Sequence, residues 1–188
     1  GFFRDVTRIQ MVACGTASYA GCVGKNVIEK LARVPAEVDI ASEFRYRDPI
    51  LDPTQLVVVI SQSGETADTL AALLLAKNQC VKTLAIVNVA GSTIAREADI
   101  VLYTYAGPEI AVASTKAYSV QTGVLYLLAI RIAMEKGRIS EEQAAFYVDR
   151  LQEAIELTHE ALKADEKAKE LSAILKDMED LFFIGRGA

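Results

Sequence analysis

Histidine and cysteine are scarce in this chain, and each shortage closes off a class of chemistry. The single histidine, His159, stands in a heavily charged stretch with a helical pattern, where a solvated surface position is expected. With no other histidine there is no Ser/His/Asp or Cys/His set to build. Basic residues are outnumbered, 20 Lys and Arg against 25 Asp and Glu, for a net charge of −5. That balance gives no basic face for a duplex, so no nucleic-acid partner is expected. Three cysteines, Cys14, Cys22 and Cys80, have neither the spacing of a metal site nor the even number of a disulfide framework. Their small apolar neighbours predict reduced, mostly buried thiols in a cytoplasmic protein, with no metal. The longest apolar run, near residues 125–130, is too short to span a membrane, and no secretion signal opens the chain. Starting at Gly1-Phe2-Phe3 without an initiator methionine, the chain reads as a segment of a longer one.

What is present is a regular alternation. Residues 8–13, 37–40, 56–60, 82–87 and 100–104 are short apolar runs, and 56–60 reads Leu-Val-Val-Val-Ile, the pattern of a strand buried on both faces. Helical patterns follow several of them, with short Gly-bearing turns between. This predicts an α/β fold, a doubly wound and mostly parallel five-stranded sheet with helices on both faces. Beyond residue 113 the pattern becomes long helices: residues 115–136, ending at Gly137, and then 140–175, charged along one face. The hydrophobic stripe Val120, Val124, Leu127, Leu128 and Ile132 predicts core contacts for the first of these. Residues 181–184 turn apolar again before Gly185-Arg186-Gly187, as residues 11–13 do before Cys14-Gly15-Thr16. The expected layout is a binding domain over residues 1–138, a helical linker over 139–180, and the first strand of a second, similar and truncated domain over 181–188.

The loop after the third strand, Ser61-Gln62-Ser63-Gly64-Glu65-Thr66, carries the chemistry. In open parallel sheets ligands sit beyond the carboxyl ends of strands, where helix N-termini present free N–H groups. Ser61, Ser63 and Thr66 add three hydroxyl donors there, and Gly64 lets the backbone approach a ligand. The pattern predicts a phosphate site without Lys or Arg. A plain helix cap by Ser63 or Thr66 is the other role open to those hydroxyls. Cys14-Gly15-Thr16 occupies the equivalent turn after the first strand, as a second wall or an ordinary strand-to-helix turn. Ser114 or Thr115 caps the long helix or faces the same pocket, and Glu109 and Lys116 read as surface charges or acid/base groups. There is no Lys-bearing P-loop and no Gly-x-Gly-x-x-Gly after the first strand, so no nucleotide cofactor is expected.

These residues resemble the sugar isomerase (SIS) domain family through the Ser61–Thr66 loop. The stretches Cys14-Gly15-Thr16, Ala41-Ser42-Glu43-Phe44-Arg45-Tyr46-Arg47 and Glu109-Ile110-Ala111-Val112-Ala113-Ser114-Thr115-Lys116 narrow the resemblance to the isomerase half of the glutamine–fructose-6-phosphate aminotransferases. The resemblance runs from Gln10 to Gly187. It implies a flavodoxin-like sheet binding fructose 6-phosphate and glucosamine 6-phosphate. It implies that Ser61, Gln62, Ser63 and Thr66 hold the phosphate, and that Cys14, Gly15, Thr16, Val112 and Ser114 line the sugar. Where the family commonly has serine after Cys-Gly-Thr, this chain has Ala17, with Ser18 as the neighbouring hydroxyl. The resemblance further implies partner domains, a glutaminase domain and a second SIS domain, and a homodimer. It places the isomerase base, the ring-opening histidine and the Schiff-base lysine beyond Ala188, so no catalytic residue is assigned here. Related SIS enzymes, such as a fructosamine-phosphate deglycase or another ketose/aldose isomerase, and a sugar-phosphate-sensing regulatory module remain the alternatives.

Overall fold

Strand β3 (Gln55–Ser61) is buried along its whole length. Its β-branched residues favour extended backbone and pack well on a pleated surface. Leu56, Val58 and Ile60 face one side and Val57 and Val59 the other, the period of two that a strand imposes. A strand apolar on both faces needs cover on both, and β3 takes the centre of the sheet between β1 (Arg8–Ala13) and β4 (Lys82–Val87). With β2 (Ala36–Ile40) and β5 (Ile100–Tyr103) the order is β2-β1-β3-β4-β5, every pair parallel. The computed structural model that gives this architecture describes residues 1–110 and 114–185.

Helices α1 (Thr16–Leu31) and α5 (Thr115–Glu135) cover one face, setting Ala20, Ile28, Leu125, Leu128, Ala129 and Ile132 on Ile9, Met11, Leu56 and Val58. Gly24 lets the two helices come close, since a Cβ there would lie 2.9 Å from Leu125 Cδ2. By length and composition α5 could cross a membrane. Its apolar residues are instead buried against α1 and the sheet, as in the core helix of a globular domain. Of the stripe expected to be core, Leu128 and Ile132 are buried, Val120 and Val124 partly so, and Leu127 is exposed.

On the opposite face lie α2 (Ala41–Tyr46), α3 (Ala67–Asn78) and α4 (Thr93–Glu97). Phe44, Ala72, Leu73, Ala76 and Ile94 pack there on Val57, Val59, Ala85 and Val87. In the Ser-Glu-Phe-Arg-Tyr stretch, Phe44 is fully buried and Arg45 pairs with Asp68 of α3 at 2.8 Å. Exposed pairs of this kind contribute about 0–1 kcal/mol, so Phe44 is the stronger tie.

The chain divides into two compact units, residues 1–144 and 145–188. The second contains α6 (Glu141–Leu162) from residue 145 onward and α7 (Asp165–Leu175). Its charge run forms local pairs, Lys163 with Glu160 and Lys169 with Asp165, and His159 is exposed on α6. Residues 181–185, where an apolar run predicts a strand, have no regular secondary structure. A strand needs a neighbour to pair with, and all five described strands pair within the one sheet.

The cysteines are less buried than their apolar neighbours predict. All three are free, but Cys22 and Cys80 are exposed and Cys14 is half-buried. Cys22 lies on the outer face of α1, whereas its neighbour Gly21 faces the core. Cys80 sits with φ of 57° in the turn between α3 and β4. Apolar neighbours in sequence do not bury a residue whose helix or turn points it outward.

Candidate functional site

From the ends of β1 and β3 the chain departs toward opposite faces of the sheet, into α1 and α3. This divergence opens a crevice beyond the carboxyl ends of the two strands, the usual ligand position in an open parallel sheet. The crevice holds a cleft of about 370 Å³. Cys14, Gly15, Thr16 and Ala17 line it from β1 and α1; Ile60, Ser61, Gln62, Ser63 and Thr66 line it from β3 and its loop; Ser114 and Gln121 line it from α5.

Three helices begin at this cleft. Gly15, Thr66 and Ser114 are the residues preceding α1, α3 and α5. Each helix start leaves backbone N–H groups without intrahelical partners and carries a partial positive charge. Among the described residues no lysine or arginine lines the cleft. Backbone dipoles and hydroxyl protons are what these residues offer an anion there. Gly15 has φ of 55°, a left-handed conformation that turns the chain directly from β1 into α1.

The loop is shaped largely by its own side chains. Ser61, almost fully buried, accepts a hydrogen bond from the Gly64 N–H at 3.0 Å and lies 3.0 Å from the Thr66 hydroxyl. When Ser61 donates to Thr66, the Thr66 proton is left for a ligand. Ser63 Oγ accepts from the Glu65 N–H at 3.2 Å and keeps its proton free to donate. Neither Ser63 nor Thr66 caps α3 with its side chain, so the plain capping role does not hold for either. Glu65 turns away and accepts from the Thr93 N–H at 2.7 Å, at the start of α4. That hydrogen bond lowers the carboxyl pKa below its ordinary value and keeps the loop's negative charge engaged with α4.

The cleft brings together Cys14, Gly15, Thr16, Ser61, Gln62, Ser63, Thr66 and Ser114; Val112 lies outside the described residues. Ser18 donates to the Gly15 carbonyl at 2.7 Å and does not line the cleft, whereas Ala17 does. The hydroxyl absent at Ala17 is thus not replaced by Ser18. Glu109 and Lys116 also have local partners. Glu109 accepts from the Ala117 N–H at 3.4 Å, and Lys116 donates to the Pro108 carbonyl. Gln121 is a residue that the sequence reading passes over; a lone amide inside the apolar stripe of α5 is the signal that marks it.

Fold and cleft together define an open, flavodoxin-like α/β domain with a site suited to a small anionic ligand. The chain belongs to the SIS domain family, whose model matches residues 2–131. It is 53% identical over 98% of its length to a glutamine–fructose-6-phosphate aminotransferase [isomerizing] of Clostridium tetani, and 52% identical over 97% to that of Symbiobacterium thermophilum. In each case it spans 30% of the relative's length. Among solved structures it is similar to the C-terminal domain of glucosamine-fructose-6-phosphate aminotransferase from Francisella tularensis, with a TM-score of 0.95 and 44% identity. That match covers 98% of this chain and 52% of the other.

Proposed function

We propose that the cleft binds the phosphate ester of a hexose 6-phosphate, fructose 6-phosphate or glucosamine 6-phosphate. On this reading the chain is the first SIS domain in the isomerase half of a glucosamine-6-phosphate synthase. The observation that carries the proposal is the convergence of three helix starts and the Ser61, Ser63 and Thr66 hydroxyls on one cleft. A dianionic phosphate would take hydrogen bonds from Ser63, Thr66 and the backbone around Gln62, with Ser61 holding the loop in shape. Each such bond to a charged group contributes about 1.5–3 kcal/mol, against about 0.3–1 kcal/mol for each helix start. The hydroxyls therefore dominate.

The whole enzyme would convert fructose 6-phosphate and glutamine into glucosamine 6-phosphate and glutamate, in the synthesis of amino sugars. It would work in the cytoplasm, as a homodimer, with a glutaminase domain and a second SIS domain supplying the groups that make and break bonds. This domain anchors and orients the sugar phosphate. The relatives' names and the solved structure at 44% identity support that placement.

Calorimetric titration of the 188-residue chain tests the reading. Glucosamine 6-phosphate should bind, unphosphorylated glucosamine should bind far more weakly, and Ser63→Ala with Thr66→Ala should remove most of the difference. Equal binding of glucosamine and its 6-phosphate would sink the proposal.

A further inference from the structure

Gln121 sits two turns into α5 with only 3% of its surface exposed, and that surface lines the cleft. No hydrogen bond is formed by its carboxamide among the described residues, and the amide opens onto the cleft. An amide that opens only onto the cleft is available to hydrogen-bond a ligand there. Ala17 and Ile60, which line the same cleft, have no polar side-chain atom to offer it. The backbone that carries it is well anchored. One turn before it Ala117 is buried, and one turn after it Leu125 is fully buried where α5 meets Gly24 of α1.

We infer that Gln121 is a sugar-recognising residue, whose carboxamide hydrogen-bonds a hydroxyl or carbonyl oxygen of the bound hexose phosphate. This rests on the phosphate-site reading and deepens it. A carboxamide offers two donors and an acceptor, which suits a hydroxyl that can itself both donate and accept. Being uncharged, it adds no repulsion to a nearby phosphate. It also lies on a different element from the Ser61–Thr66 loop, so one wall can grip the anion while another reads the sugar. The cleft of about 370 Å³ lies within the range of small-molecule sites, roughly 300–1,000 Å³, and has room for a sugar beyond the phosphate. Ala17 sharpens the assignment, because it removes a hydroxyl that would otherwise compete for the amide or for the sugar.

Gln121→Met keeps the length and bulk of the side chain and deletes its hydrogen bonds. In calorimetric titration it should weaken glucosamine 6-phosphate about tenfold while leaving inorganic phosphate within about twofold of the parent chain. Ser63→Ala with Thr66→Ala should weaken both ligands, which separates sugar reading from phosphate holding. Unchanged affinity for glucosamine 6-phosphate in Gln121→Met overturns the inference, and so does an equal loss for both ligands. A second measurement does not depend on how the variant folds. In a nitrogen-15 spectrum of the parent chain, the Gln121 side-chain amide should shift with glucosamine 6-phosphate and not with inorganic phosphate. An amide that ignores the sugar phosphate overturns the inference as well. A parent chain that binds neither ligand removes the phosphate-site reading itself, a different failure from one in which the sugar phosphate binds and Gln121 is indifferent to it.

Discussion

Gly64 and Ser92 are in such close contact that a Cβ on residue 64 would lie 2.0 Å from Ser92 Oγ and 2.5 Å from its Cβ. Gly64 also has φ of 68°, and its carbonyl accepts from the Ile94 N–H at 3.0 Å. The tip of the hydroxyl loop is thus seated on the start of α4.

Gly64→Ala should therefore be among the most damaging small substitutions in the domain. The left-handed backbone alone costs a residue with a Cβ about 1–2 kcal/mol, and overpacking a filled site adds roughly 1–3 kcal/mol. The two causes separate in a double variant. Ser92→Gly in the Gly64→Ala background should return the steric part and leave the backbone part. Denaturant midpoints of the parent, both singles and the double provide the test. A Gly64→Ala variant as stable as the parent would mean that the loop shifts freely off α4.

Glu65 provides a pH-dependent version of the same tie. Its carboxyl is held below the ordinary 4.5, chiefly by the backbone hydrogen bond from Thr93. A lowered folded pKa means that the contribution is complete above pH 4.5 and is lost as pH falls through the lower folded value. Glu65→Gln removes this titration, so its melting temperature should fall less steeply than the parent's on acidification below pH 4.5. Parallel curves for the two proteins would show that the carboxylate contributes nothing at low pH. Because Glu65 is exposed, the effect should also shrink in high salt.

The hydrophobic patterning made the sheet and its central strand legible, because a run such as Leu56-Val57-Val58-Val59-Ile60 can be buried only between neighbours on both faces. The hydroxyl loop was legible for a related reason: three hydroxyls and a glycine directly after such a strand fall where parallel sheets place ligands. What the residues could not convey was division of labour within the loop. Ser61 and Ser63 look alike in sequence, yet Ser61 accepts from Gly64 inside the protein while Ser63 keeps a proton toward the cleft. Gln121 escaped notice because a helical stripe is read by its apolar members, and a polar residue within it matters only once the cleft beside it is known. The exposure of Cys22 and Cys80 was missed because proximity along a chain says little about direction across a helix or turn.

Thiol chemistry should show that difference directly. Cys22 and Cys80 are exposed and Cys14 is half-buried in the cleft wall. A maleimide or an aromatic disulfide should therefore modify two thiols quickly and a third slowly. Saturating glucosamine 6-phosphate should slow only the third, since a bound ligand closes access to Cys14. Mass mapping after timed quenching identifies the residues. Protection of Cys22 or Cys80, with Cys14 unaffected, would place the ligand elsewhere.

Asn88 joins the loop to the segment that follows β5, and its removal should loosen both. Its backbone N–H donates to the Gln62 carbonyl at 3.1 Å. Its side-chain oxygen accepts from the Thr104 hydroxyl at 3.0 Å and the Ala106 N–H at 2.8 Å, while its amide nitrogen donates to the Gly107 carbonyl at 2.8 Å. Asn88→Ala strips three hydrogen bonds from this segment and leaves the largely buried Thr104 hydroxyl without that acceptor, at a cost of roughly 1–3 kcal/mol. Asn88→Asp keeps the acceptor but opposes a carboxylate oxygen to the Gly107 carbonyl, so it should be damaging for a different reason. In Asn88→Ala the Ala106 amide should exchange with solvent faster than in the parent; in Asn88→Asp it should stay protected while overall stability still falls. Unchanged exchange at Ala106 in Asn88→Ala would mean that the backbone holds this segment without the side chain.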